Sequence, residues 1–181
     1  MVADSYERLK AVVASASVSD DFQTAVLEWN VVELEENSRG DGECVCGQQN
    51  LVKMFTIRNH LNDAELFPIG SQCVNHFGRA DLDLQVAVFS DLLSLRKSIL
   101  AGERITLTSE YFSRELLRWL YEEGAFPEDA NGYGGEKDYL FLLKMFNKRI
   151  KEDITDGQAR KIFVLLTYKV KPFVRDHSAL R

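Results

Sequence analysis

Apolar residues return at helical spacing in "DSYERLKAVVASA", where Tyr6, Leu9, Val12 and Val13 share one face. Asp4 stands at a capping position with Glu7 at capping-box spacing, so a short helix is predicted. Phe22, Val26 and Trp29 predict a second one after Ser19. The period then changes. "WNVVELEE" suits a strand over about 29–35, because the loop "NSRGDGE" that follows is built of turn formers. From Leu51 to Arg58, β-branched and aromatic residues occur without a helical face, which predicts a strand. "NHLND" supplies the turn, and "AELFPIG" predicts a returning strand.

The longest helical pattern is "ADLDLQVAVFSDLLSLRKSILAG", apolar on so much of its circumference that burial is expected, with Gly102 placed to end it. "TSEYFSRELLRWLYEEG" predicts a helix capped by Thr108 or Ser109 and stopped at Gly124. "PEDANGYGGEKD" reads as a hydrophilic linker. Tyr139, Leu142, Leu143 and Phe146 mark a further helix, and Thr155 with Gln158 opens a last one that Pro172 ends or kinks. The chain has no internal repeat. These elements predict an α+β fold, with a small β hairpin module packed on a mainly α-helical body. The expected organisation is residues 1–78, N-terminal helices plus the β module, then a helical domain over 79–181 with a hinge near 127–137. One continuous domain is compatible with the same pattern.

Composition narrows the class. At 181 residues, 45% hydrophobic and 28% charged, with three prolines, the chain is expected to be ordered over most of its length. No apolar run approaches the ~20 residues a membrane span needs. "MVADSYERLK" lacks the cationic start and apolar middle of a signal peptide, so a cytoplasmic location away from membranes is expected. Three cysteines cannot all pair, which leaves metal ligation or plain burial.

Those cysteines carry the chemistry. Cys44 and Cys46 lie one residue apart ahead of the hairpin, and "PIGSQCVNHFGR" places Cys73 and His76 three apart, on one side of a helical turn. Three thiolates and an imidazole make a closed tetrahedral set for zinc, here Cys44, Cys46, Cys73 and His76. Gly47 allows a backbone turn that aims amides at the sulfurs, and a helix start would favour the Cys73 thiolate. The bland alternative is three small buried hydrophobes and an ordinary surface histidine. His60 competes as fourth ligand from the distal end of the hairpin, Glu43 is expected to be solvated, and His177, near the tail, to be exposed.

The order turn, hairpin, helix start resembles the treble-clef class of zinc-binding folds, although treble-clef turns more often read C-x-x-C. Cys44, Cys46 and Gly47, then Ile57 and Asn59, then Ile69, Gly70, Ser71 and Cys73, also look like a motif of small bacterial and phage proteins: C-x-C-G, I-x-N, I-G-S-x-C. The resemblance covers about 35 residues. It implies a metal and no activity.

The net charge of −6 is uneven. Residues 144–181 hold ten Lys/Arg against four acids, a balance of +6, which leaves −12 for residues 1–143. Aromatics interleave with the cations Lys148, Arg149, Arg160, Lys161, Lys169, Lys171 and Arg175. Such mixing suits a phosphate backbone and stacked bases, and equally suits two solvated helices or a protein-facing surface. The acidic runs are most simply solvated faces. The Gly-rich stretch 131–138 fails as a phosphate cradle, with no strand before it and no Lys-Ser/Thr pair after it. The expected function is therefore a non-enzymatic zinc-binding accessory or adaptor protein that contacts nucleic acid through its basic segment. The alternative is an acidic protein-binding regulator or inhibitor without nucleic-acid binding.

Overall fold

The computed structural model describes residues 3–128 and 132–180, and the fold is α+β. Two compact units divide it: residues 1–89 with 178–181, and residues 90–177. The division falls inside one helix, α4 (Ala80–Leu100). By sequence, the first unit holds seven Lys/Arg against fourteen Asp/Glu and the second fifteen against fourteen. The acidity thus belongs to the first unit.

In the first unit, α1 (Ala3–Ala16) turns Leu9 and Val13 fully inward. Asp4 lies within this helix instead of capping it. The second predicted helix is brief: α2 (Phe22–Ala25), capped by Asp21, runs into a 3-10 turn (Val26–Glu28). Trp29, the expected last helical contact, begins β1 (Trp29–Glu36). The helix stops there because the β-branched run behind it is taken up by the sheet. β2 (Lys53–Asn59) and β3 (Glu65–Ile69) complete a three-stranded antiparallel sheet in the order β1-β2-β3. Leu34 opposes Phe55 and Val31 opposes Ile57, and all four side chains are buried. Each such burial contributes about 1.5–3 kcal/mol. The end of the chain, not foreseen as part of this unit, lies along β1, where the Leu34 amide donates to the Ala179 carbonyl at 2.9 Å. α3 (Ser71–Asn75) follows β3 directly.

The second unit is helical. Helix α5 (Arg114–Glu122) starts later than the pattern implied, because Ser113 and neither Thr108 nor Ser109 is its cap, accepting from the Leu116 amide at 3.1 Å. Phe112 before the cap and Leu117 four residues inside, the positions of a hydrophobic staple, are both buried and help fix the entry point. Helix α6 (Gly135–Phe146) begins inside the expected linker, whose residues 129–131 lie outside the described ones. The Gly135 amide donates to the Phe126 carbonyl at 2.9 Å. Helix α7 (Asp156–Leu165) carries the Thr155/Gln158 capping box as predicted. Pro172 leaves the chain helical: it sits in the first turn of α8 (Lys171–Asp176), after a π-helical turn over Leu166–Val170. Proline lacks the amide for the carbonyl four residues back and crowds that carbonyl, so a widened turn relieves both defects. Among the described residues no helix is long and apolar enough to cross a membrane.

Candidate metal centre

Cys44, Cys46 and Cys73 are all but inaccessible, each 1% exposed, and their sulfurs lie within 4.8 Å of one another. Cys73 Sγ is 3.3 Å from Cys46 Sγ and 3.5 Å from Cys44 Sγ. Zinc–thiolate bonds of about 2.3 Å imply sulfurs ~3.8 Å apart at the corners of a tetrahedron. The cluster needs only a slight expansion to match that edge. All three thiols are free of disulfide bonds.

Backbone hydrogen bonds build this geometry. The Cys44 carbonyl accepts from the Gly47 amide at 2.7 Å, closing a tight turn, and the Cys44 amide donates to the Gln48 carbonyl at 2.8 Å. The Val45 amide donates to the Pro68 carbonyl at 2.9 Å, which ties the turn to the end of β3. The Gly70 amide then donates to Cys44 Sγ at 3.4 Å. Because β3, Gly70 and α3 follow one another without a loop, the same strand end delivers Cys73. Gly47 has φ +87, and a Cβ there would stand 2.6 Å from the Arg8 guanidinium of α1. The Gly47→Ala variant is expected to lose about 1 kcal/mol for the left-handed backbone, a fall of roughly 4–8 °C in thermal midpoint. Gly78→Ala, at φ +67 in open space, is the control for the backbone cost alone. Calorimetry on both separates that cost from crowding at Arg8.

The cluster stabilises one negative charge readily. The Cys44 thiol is lowered to about 5, first by the hydrogen bond from Cys73, against burial, and then by the amides of Cys46 and Gly70 and the Cys46 thiol. Cys73 is pushed up by its bond to Cys44, by burial and by Cys46. A second negative charge in this buried space is opposed by the first, whereas a divalent cation would reverse that cost.

The other expected ligands are elsewhere. His76 is the C-cap of α3, exposed, with its ring tilted on Tyr6 at 5.3 Å between centroids. Among the described residues no histidine, aspartate or glutamate joins the three sulfurs within 4.8 Å. The i,i+3 spacing itself holds, since His76 keeps helical backbone with its amide on the Gln72 carbonyl at 3.2 Å, and it is the turn of the ring toward Tyr6 that takes the imidazole away. Helix α3 has only five residues, and a helix that short gives Cys73 little dipole. His60 is engaged through Nδ1, 2.7 Å from the Glu28 carbonyl. Glu43 is exposed, as expected. His177 is half-buried instead of exposed, its ring 5.1 Å from Trp119 and 4.9 Å from Phe173, and burial lowers its pKa.

No family model, curated protein or solved structure matches this chain. The site rests on its own geometry.

Several cations of the basic segment have partners within the chain. Lys161 and Lys169 both pair with the buried Asp138 at 2.9 Å. Burial opposes ionisation of Asp138, but these two ammonium groups hold its pKa below the usual carboxylate range. Lys148 donates to the Asp153 carbonyl, and Arg175 pairs with its neighbour Asp176 at 2.8 Å. Arg149 and Arg160 are exposed and Lys171 is half-buried.

Sequence reasoning missed Glu28, the buried carboxylate that ends the 3-10 turn just before β1. It accepts from the amides of Val18 at 2.7 Å and Ser19 at 2.8 Å, and from Asn59 Nδ2 at 2.6 Å. Its carbonyl takes the His60 amide at 2.9 Å. One residue thus joins the end of α1 to the tip of the hairpin. The available signal was an acid and an asparagine flanking apolar strands, which is too common to single out.

Proposed function

We propose that the chain is a non-enzymatic adaptor that binds another protein, its first unit stapled by one zinc ion on Cys44, Cys46 and Cys73. The observation that carries the metal is the convergence of three buried sulfurs at 3.3 and 3.5 Å from a turn and a helix with 26 residues between Cys46 and Cys73. Thiolate-rich donor sets select zinc over hard cations. In this role zinc fixes the Cys44–Gly47 turn against the end of β3 and the start of α3. His76 has the spacing for the fourth ligand and would need to leave Tyr6 to serve. Elemental analysis of protein isolated without chelators is expected to give one zinc per chain. Empty protein with intact structure overturns the metal.

Protein binding is preferred to nucleic-acid binding because four of the seven cations first assigned to a phosphate surface already have internal partners. Extracting them from those partners would offset much of the gain from phosphate contact. Generic single- and double-stranded oligonucleotides are expected to show no salt-dependent anisotropy change. Binding that weakens steeply with salt, and that Arg149→Ala with Arg160→Ala reduces, would reinstate the nucleic-acid reading.

A further inference from the structure

The second unit carries an open cleft of about 420 Å³ with a mainly apolar lining. Its floor is a helical stripe, Ala159, Ile162, Phe163 and Leu166, facing Ile105 and Leu107 of the segment between α4 and α5. The stripe continues through Thr167 to Lys171, so the groove follows thirteen residues of helix, or about 18 Å. Phe163 is 63% exposed despite lining it, and Val164 beside it is 48% exposed. An apolar stripe open to water along a helix face is the form taken by a groove that receives a second helix.

Charge selects the occupant. None of the thirteen lining residues is acidic, whereas Arg104, Lys151 and Lys171 are basic. Lys151 is engaged, donating to the carbonyls of Met145 at 3.0 Å and Phe146 at 2.7 Å at the end of α6. Arg104 and Lys171 make no ion pair among the described residues. In a unit where Asp138 and Asp176 each collect neighbouring cations, two cations left beside an apolar groove complement a ligand that is apolar on one face and anionic on the other. The length of the stripe matches about three turns of a second helix.

We propose that this cleft is the docking groove for an acidic amphipathic helix of a partner protein, whose apolar positions at i, i+3 or i+4 and i+7 seat against Ile162, Phe163 and Leu166 and whose carboxylates reach Arg104 and Lys171. The inference rests on the adaptor reading and names the kind of partner that adaptor takes.

The test is selection of a displayed library of random 16-residue peptides on the full chain, followed by anisotropy with the enriched peptides. Enriched sequences are expected to be net acidic with helical apolar spacing. Binding should fall at least about tenfold in Phe163→Asp and in Lys171→Glu, and should weaken with salt. Phe163 is exposed enough for its variant to fold, which circular dichroism checks. Peptides that bind Phe163→Asp as well as the native chain overturn the cleft while leaving protein binding standing. Neutral or basic peptides overturn the choice of partner. A library that enriches nothing, with decanoate protecting the groove in hydrogen exchange, assigns the cleft to small amphiphiles and overturns the proposal. Zinc content, read on the same samples, reports on the metal independently.

Discussion

Replacing Cys73 by serine is expected to abolish zinc retention and to lower the first unit's thermal midpoint by about 20 °C. An ion bound only by the folded state stabilises it by RT ln(1 + [L]/Kd), about 4 kcal/mol when free zinc exceeds Kd a thousandfold. For a unit of this size each kcal/mol moves the midpoint by roughly 4–8 °C. Cys73 is the right position to test because its sulfur is the common neighbour of the other two, at 3.3 and 3.5 Å. Serine retains the volume but binds zinc poorly, and it leaves a hydroxyl in a site that is 1% exposed. Its effect must therefore be separated from loss of a good thiol contact. Chelation of the native chain does so: native protein with chelator and the Cys73→Ser variant should unfold at nearly the same temperature. A native midpoint unmoved by chelator, with the variant destabilised, would mean that the three thiols act as packing alone. His76→Ala divides the ligand sets. Zinc lost with this variant assigns the fourth corner to the imidazole after a change of rotamer, and zinc retained leaves that corner to a ligand from outside the chain.

The parts of this site legible in the sequence are those fixed by local chemistry. A turn of the form Cys-x-Cys-Gly and a cysteine at the exit of a hairpin suffice to predict convergence, because antiparallel pairing returns β3 beside the segment before β2. The three sulfurs meet accordingly. The fourth ligand was less legible: His76 keeps the helical i,i+3 spacing as the C-cap of α3, but spacing does not say which way its ring turns, and here the ring lies on Tyr6. Strand identities were legible from β-branched and aromatic content, and the α7 cap from Thr155 and Gln158. The start of α5 was not, since Thr108, Ser109 and Ser113 are chemically equivalent caps and only the burial of Phe112 and Leu117 distinguishes them. Long-range electrostatics were legible least. The positive excess near the C-terminus counts charges without their partners, and Asp138 alone engages two of the cations from 23 and 31 residues away.

Glu28→Gln is expected to lower the first unit's midpoint by more than about 8 °C without changing zinc content. The native carboxylate is buried and meets three N–H groups, from Val18, Ser19 and Asn59. Glutamine keeps one acceptor oxygen but turns an NH₂ toward at least one of these donors, so a buried donor faces a donor. The side chain is nearly isosteric, which removes a cavity from the explanation. Burial pushes the Glu28 pKa up, but the Val18, Asn59 and Ser19 hydrogen bonds outweigh it, and His60 adds to them, so the folded value lies below the usual carboxylate range. A depressed folded pKa gives stability that is present above the unfolded pKa near 4.3 and disappears as pH falls through the folded value. The native chain should therefore lose stability below about pH 4 through this group, and the glutamine variant should show a shallower acid limb. Asn59→Asp supplies the opposite test, placing a second carboxyl 2.6 Å from the first. It should destabilise most at neutral pH and partly recover in acid, as one of the two takes up a proton. An acid limb unchanged in Glu28→Gln would show that the Glu28 pKa is the same in the folded and unfolded chain, and would overturn its depression by the three donors.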